Sequence, residues 1–152
     1  TLSQKYNGKK ILIICNTVKS AVNLYNQLEW DEEKQIVKVR DDELTNESSE
    51  VSEVERKHIN LFHSCFTKVD RAKKEKQILS MGQKDSTESG IWIATQVVEA
   101  SLDIDFDLLF TELSDLNGLF QRMGRCYRKR SLAEKTYNCF IRIYFPIFLT
   151  RE

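Results

Sequence analysis

Five residues in the last quarter of the chain have the types and spacing of a phosphate-handling group. Within residues 118–130, GLFQRMGRCYRKR, Gln121, Arg122, Gly124, Arg125 and Arg128 form the pattern Q-R-x-G-R-x-x-R. If Leu119, Phe120 and Met123 anchor a helix, Arg122, Arg125 and Arg128 recur three apart and lie close on one surface. Guanidiniums gathered this way repel one another unless anionic oxygens sit among them. The planar fork of arginine matches phosphate bidentately, so a polyphosphate or a nucleic-acid backbone suits the row. A second reading stays open here: a solvated basic helix end, since Lys and Arg near a helix C-terminus suit its dipole.

A scaffold must hold that row, and the composition bounds it. The 152 residues are 41% hydrophobic and 30% charged, as in a soluble globular domain with a sizeable core. Formal net charge is zero, so any nucleic-acid contact comes from a local patch. Such a patch exists: Arg122, Arg125, Arg128, Lys129 and Arg130 fall within nine positions. The four cysteines are scattered without C-x-x-C or zinc-type spacing, which points to reduced thiols and a cytoplasmic setting. His58 and His63 are not at metal-ligand spacing, and no metal site is expected. No signal peptide opens the chain, and the apolar run 139–149 is too short for a bilayer and contains Arg142, so no membrane partner is expected. The start at Thr1 in place of Met suggests a piece of something longer.

Strand and helix signals alternate. Ile11-Leu12-Ile13-Ile14-Cys15 is a continuous β-branched run, the mark of a strand buried on both faces. Ala21, Leu24, Tyr25 and Leu28 then recur at helical spacing. Residues 31–57 carry ten acidic against five basic residues. Ile36, Val37 and Val39 suggest a short strand there, and 41–55 an acidic surface excursion. Residues 58–62 read as the next strand, Thr67 as a helix N-cap with Asp70 three positions on, and Ala72, Lys76 and Leu79 as that helix. Residues 91–94, 107–112 and 139–145 read as further strands, and Ser114 or Asp115 as the cap of the arginine-bearing helix. The prediction is an α/β fold with a mostly parallel sheet flanked by helices. Ligands of such sheets bind beyond the C-terminal strand ends. Asn16-Thr17, His63-Ser64 and Thr95-Gln96 all stand there.

In order, the strings ILIICNT, HSCF, ATQVVEASLDID and QRMGRCYR resemble the second RecA-like, P-loop NTPase-like domain of a superfamily 2 helicase. The similarity is to the CRISPR-associated helicase–nuclease of type I systems, over nearly all of residues 1–152 except an acidic insertion at about 31–57. The resemblance implies an ATP-dependent DNA helicase in CRISPR interference. It makes Arg125 and Arg128 arginine fingers, and gives Gln121 the water or terminal phosphate. Asp103 and Arg122 take ATP-binding positions. Asn16, Thr17, His63, Ser64 and Thr95 match positions that bind single-stranded DNA, and Gln96 and Glu99 positions that couple the two sites. Cys65 departs from the basic residue that many relatives carry.

Neither a G-x-x-x-x-G-K-S/T loop nor an acidic box occurs. The resemblance therefore implies that ATP and Mg²⁺ are bound through a missing N-terminal RecA-like domain, and that this piece alone is inactive. Its implied partners are that domain, single-stranded DNA and a CRISPR RNA-guided surveillance complex. A DEAH-type RNA helicase domain and a non-catalytic nucleic-acid-binding module are the alternatives.

Overall fold

The run KILII forms β1 (Lys10–Ile14), with every residue but Ile13 buried. Side chains alternate between the two faces of a strand, so a strand covered on both sides must be apolar throughout. The computed structural model describes residues 8–31, 36–39, 58–99, 102–128, 130–131 and 137–142. After β1 come α1 (Val18–Gln27), β2 (Leu28–Asp31), β3 (Ile36–Val39), β4 (Ile59–Phe62) and α2 (Lys68–Met81). Then follow β5 (Gly90–Ala94), a 3-10 turn (Gln96–Val98), β6 (Leu108–Glu112), α3 (Leu116–Met123) and β7 (Cys139–Arg142).

Five strands make one sheet in the order β4-β5-β1-β6-β7, and every pairing in it is parallel. The expected α/β architecture is therefore present. The short strand expected at Ile36 pairs antiparallel with β2 as a separate two-stranded unit. The acidic stretch 41–55, and the end of the apolar strand beyond residue 142, lie outside the described residues.

Alternation along the strands sorts the core into two layers. Leu12, Ile14, Trp92, Ala94 and Leu109 pack with Ile78 and Met81 of α2. Ile11, Cys15, Ile91, Ile93 and Leu108 pack with Ala21 and Tyr25 of α1. Leu28, assigned to the first helix by its spacing, is that helix's C-cap and opens β2. His58 stands just before β4 in a left-handed conformation, φ 64°. In α2 the Thr67 hydroxyl accepts from Asp70 N at 3.2 Å and donates to Asp70 Oδ2 at 2.5 Å. The expected capping pair thus closes through the hydroxyl.

The loop before β6 is fastened to α2 at Gly82. Asp105 N donates to Gly82 O at 2.7 Å. A Cβ at Gly82 would stand 2.6 Å from Ile104 Cγ2 and 2.9 Å from Ile78 O, so glycine is what lets the loop approach.

Candidate functional site

Strands β4, β5 and β1 are neighbours in the sheet, so the three polar pairs that follow them stand side by side at its C-terminal edge. Their roles there differ. Thr17 caps α1, taking Ser20 N at 3.1 Å, and is exposed, as is Ser64. Thr95 is 2% exposed and lies beneath the edge. His63 is also buried and stacks on Phe66, with ring centroids 4.3 Å apart. Its Nδ1 accepts from Cys65 N at 3.2 Å. Burial, with help from the nearby Lys74 charge, pushes the His63 pKa down, so the ring is neutral at pH 7 and offers phosphate no charge. Of the positions read as gripping a nucleic-acid backbone, His63 and Thr95 are thus both buried.

Asn16 is a hub. Its N donates to Glu112 Oε2 at 2.5 Å and its Nδ2 to Leu113 O at 2.8 Å, while its carbonyl accepts from Gln96 Nε2 at 2.8 Å. Its Oδ1 accepts from Arg122 Nη1 at 2.9 Å. The same Nη1 reaches Thr111 Oγ1 and Glu112 O, each at 3.0 Å, and Arg122 Nε bonds Glu99 Oε1 at 2.7 Å. One guanidinium thus ties the ends of β1, β5 and β6 together. The Asn16 side chain, read as a DNA-binding position, is engaged in this network at both its Nδ2 and its Oδ1. Burial, with help from the Glu112 charge, pushes the Cys15 thiol up to about 12, so it stays protonated packing.

The arginines do not share one helix surface. Asp115 caps α3, accepting Gly118 N at 3.0 Å, and the helix ends at Met123 with Gly124 as its C-cap. Only Gln121 and Arg122 of the pattern are helical. The helix is also turned the other way from the expectation. Leu116 and Phe120 are 68% and 62% exposed, whereas Arg122 is 1% exposed. Periodicity finds such a stripe but not the side it faces. Arg122, read as an ATP-binding position, is fully enclosed here and forms an internal clasp. Gln121 is exposed on the outer face.

Beyond α3 the chain runs beside the loop before β6, through the parallel bridge Phe106–Cys126. Arg125 donates from Nη1 to Leu102 O and from Nη2 to Glu99 O, the latter at 2.6 Å. Its Nε is buried without a hydrogen-bond partner. Burial and the neighbouring Arg128 charge lower its pKa, against a pull from Asp103. Among the described residues the Arg128 side chain pairs with Asp103 at 2.9 Å, and those side chains are 44% and 68% exposed. Arg130, which motif reasoning passed over, bonds both Asp105 and Asp107. The alternating acids of LDIDFD, which meet Arg128 and Arg130 across the fold, were the available signal, but nothing in the sequence pairs them. Cys126 is buried, and hydrogen bonding to Cys139 together with burial pushes its pKa up.

Among the described residues, no three His, Cys, Asp or Glu side chains are grouped to hold a metal ion. No helix among them is long and apolar enough to cross a membrane.

With this geometry in view, comparison with known proteins is specific. Residues 7–131 match the family described as CRISPR-associated nuclease/helicase Cas3, C-terminal. The Cas3 endonuclease/helicase of Escherichia coli K12 is 37% identical over 123 residues, which are 80% of this chain and 12% of that protein. The Cas3 nuclease/helicase of Methanothermobacter thermautotrophicus is 32% identical over 124 residues, 80% of this chain and 11% of that one. The crystal structure of T. fusca Cas3-ATP superposes with a TM-score of 0.63 at 25% identity, covering 89% of this chain and 14% of that one. The chain therefore spans a small fraction of the length of each relative. The parallel sheet, the ordered strand ends and the Q-R-x-G-R-x-x-R segment accordingly sit in a chain that belongs to the C-terminal helicase-domain family of the CRISPR-associated nuclease/helicase Cas3.

Proposed function

We propose that the chain is the second motor domain of an ATP-dependent superfamily 2 DNA helicase in CRISPR interference. In this reading it works against an N-terminal RecA-like domain of the same polypeptide, on single-stranded DNA presented by a CRISPR RNA-guided surveillance complex. The observation that carries the reading is the Arg122 clasp. It joins the strand ends, where a nucleic-acid backbone would lie, to the segment that holds Arg125 and Arg128. Displacement of one is then felt by the other, through Gln96 and Glu99.

The residues fit an anionic nucleotide. Arg128 is held by an exposed pair of the kind worth about 0–1 kcal/mol, so phosphate can replace Asp103 at little cost. In this reading the mostly exposed Asp103 carboxylate accepts from a ribose hydroxyl. Arg125 carries a spare buried donor. Bound ATP would supply a phosphoryl group whose developing charge these guanidiniums meet, an effect worth roughly 10³–10⁵ in rate for arginine fingers. Gln121, on the outer face of α3, orients water or the terminal phosphate. Mg²⁺ and the β- and γ-phosphates are held by the N-terminal domain, so the isolated chain turns over negligibly.

On the DNA side, Thr17 and Ser64 offer exposed hydroxyls. The N-termini of α1 and α2 offer backbone N–H groups, which grip phosphate without reading bases. Steady-state ATP turnover of the full-length protein tests the reading. Stimulation by single-stranded DNA is expected. Stimulation by RNA alone would move the assignment to an RNA helicase, and absence of turnover would leave a binding module.

A further inference from the structure

We infer that Arg130 is a positioning residue, which occupies Asp105 and Asp107 so that Arg128 remains available to the nucleotide. The inference rests on the finger role proposed above for Arg128. The loop before β6 carries three acids at alternate positions, Asp103, Asp105 and Asp107, and the segment after α3 brings Arg128 and Arg130 against them. Competition among these five charges decides where each arginine points.

Arg130 is tightly engaged. Its Nε and Nη2 donate to the two oxygens of Asp105 at 2.8 and 3.1 Å, and its Nη1 donates to Asp107 Oδ1 at 2.6 Å. Nη2 also donates to Phe106 O at 2.9 Å, and the guanidinium lies 4.2 Å from the centre of the Tyr127 ring. Tyr127 itself takes the left-handed conformation, φ 51°. The Asp105 side chain is 8% exposed, and Asp107 Oδ2 also accepts Lys10 N at 2.8 Å, which fastens the loop to β1. The Arg128–Asp103 pair is open to water on both sides.

Asp105 already accepts Arg128 N at 3.1 Å. If Arg130 were lost, a nearly enclosed carboxylate would stand without a cation beside the backbone of Arg128. An unpaired buried charge is far costlier than an exposed pair is favourable. The Arg128 side chain would therefore leave the surface for Asp105. The finger would be captured by its own domain, and the clasp of Arg130 prevents this.

The test uses ATP turnover of the full-length protein with single-stranded DNA, beside its thermal unfolding midpoint. Arg130→Ala should lower kcat by roughly tenfold or more while changing KM for ATP less, as for a contact made mainly in the transition state. The double variant Arg130→Ala/Asp105→Asn should regain most of the lost kcat. Asparagine keeps an oxygen for the Arg128 N–H but carries no charge to attract its side chain. If Arg130→Ala does not fold, Arg130→Lys takes its place. A lysine cannot span both carboxylates, so a smaller loss in the same direction, with rescue by Asp105→Asn, is expected. Turnover of the single variant at the wild-type level, or a folded double variant that stays as slow as the single one, would overturn the inference. Wild-type protein without ATP turnover would overturn the functional reading and this inference with it, before any variant is compared.

Discussion

Arg128→Ala in the full-length protein is expected to lower single-strand-stimulated ATP turnover by roughly 10³-fold or more, with the fold unchanged. The two halves of that expectation come from different observations. The large kinetic effect follows from the finger role. The intact fold follows from exposure: among the described residues the Arg128 side chain pairs with Asp103, which is itself mostly in water. Removing such a pair costs about 0–1 kcal/mol. Arg125→Ala should lose turnover to a similar degree but with some loss of stability, since its guanidinium also ties Leu102 O and Glu99 O. Steady-state kinetics paired with circular dichroism separates the effects. Undiminished turnover in a folded Arg128→Ala protein would remove the finger assignment.

The second large effect is structural. Arg122→Ala should destabilise this domain by about 3–5 kcal/mol, because it strands Glu99 and leaves Asn16 Oδ1 and Thr111 Oγ1 without their donor. For a domain of this size the unfolding midpoint should fall by roughly 10 °C. Arg122→Lys should recover little of it. An ammonium on a flexible stem cannot hold Glu99 from one nitrogen and Asn16, Thr111 and Glu112 from another. A midpoint unchanged in Arg122→Ala would mean that the clasp is incidental to the fold, and the coupling drawn from it would fall.

These two arginines sit six positions apart, each three from Arg125, in one short pattern, yet their fates are opposite. That contrast marks where the sequence is legible. The strands were readable because a both-faces-buried strand has to be a continuous apolar run, as in ILIIC and GIWIA. Helix caps at Thr67 and Asp115 were readable because side chains satisfy local backbone donors. The parallel order put the polar strand ends on one edge, as the alternation of elements implied.

What could not be read was direction and long-range pairing. The Phe120–Met123 side of the helix was expected to anchor it, but spacing alone does not say whether that side faces its own sheet or outward. It faces outward, and the inner side is Gly118 and Arg122. Asn16 and Arg122 are 106 positions apart, and no local rule joins them. Arg130 looked like one more basic residue in a basic run until the fold set it between Asp105 and Asp107.

The central claim is that these guanidiniums complete a nucleotide pocket supplied by another domain. A structure of the full-length protein holding single-stranded DNA and a non-hydrolysable ATP analogue tests it most directly. The account expects Arg128 to have left Asp103 and to lie within hydrogen-bonding distance of the terminal phosphate, with Arg122 still on Glu99. Arg128 still paired to Asp103, with the nucleotide in place and both domains closed, would contradict it.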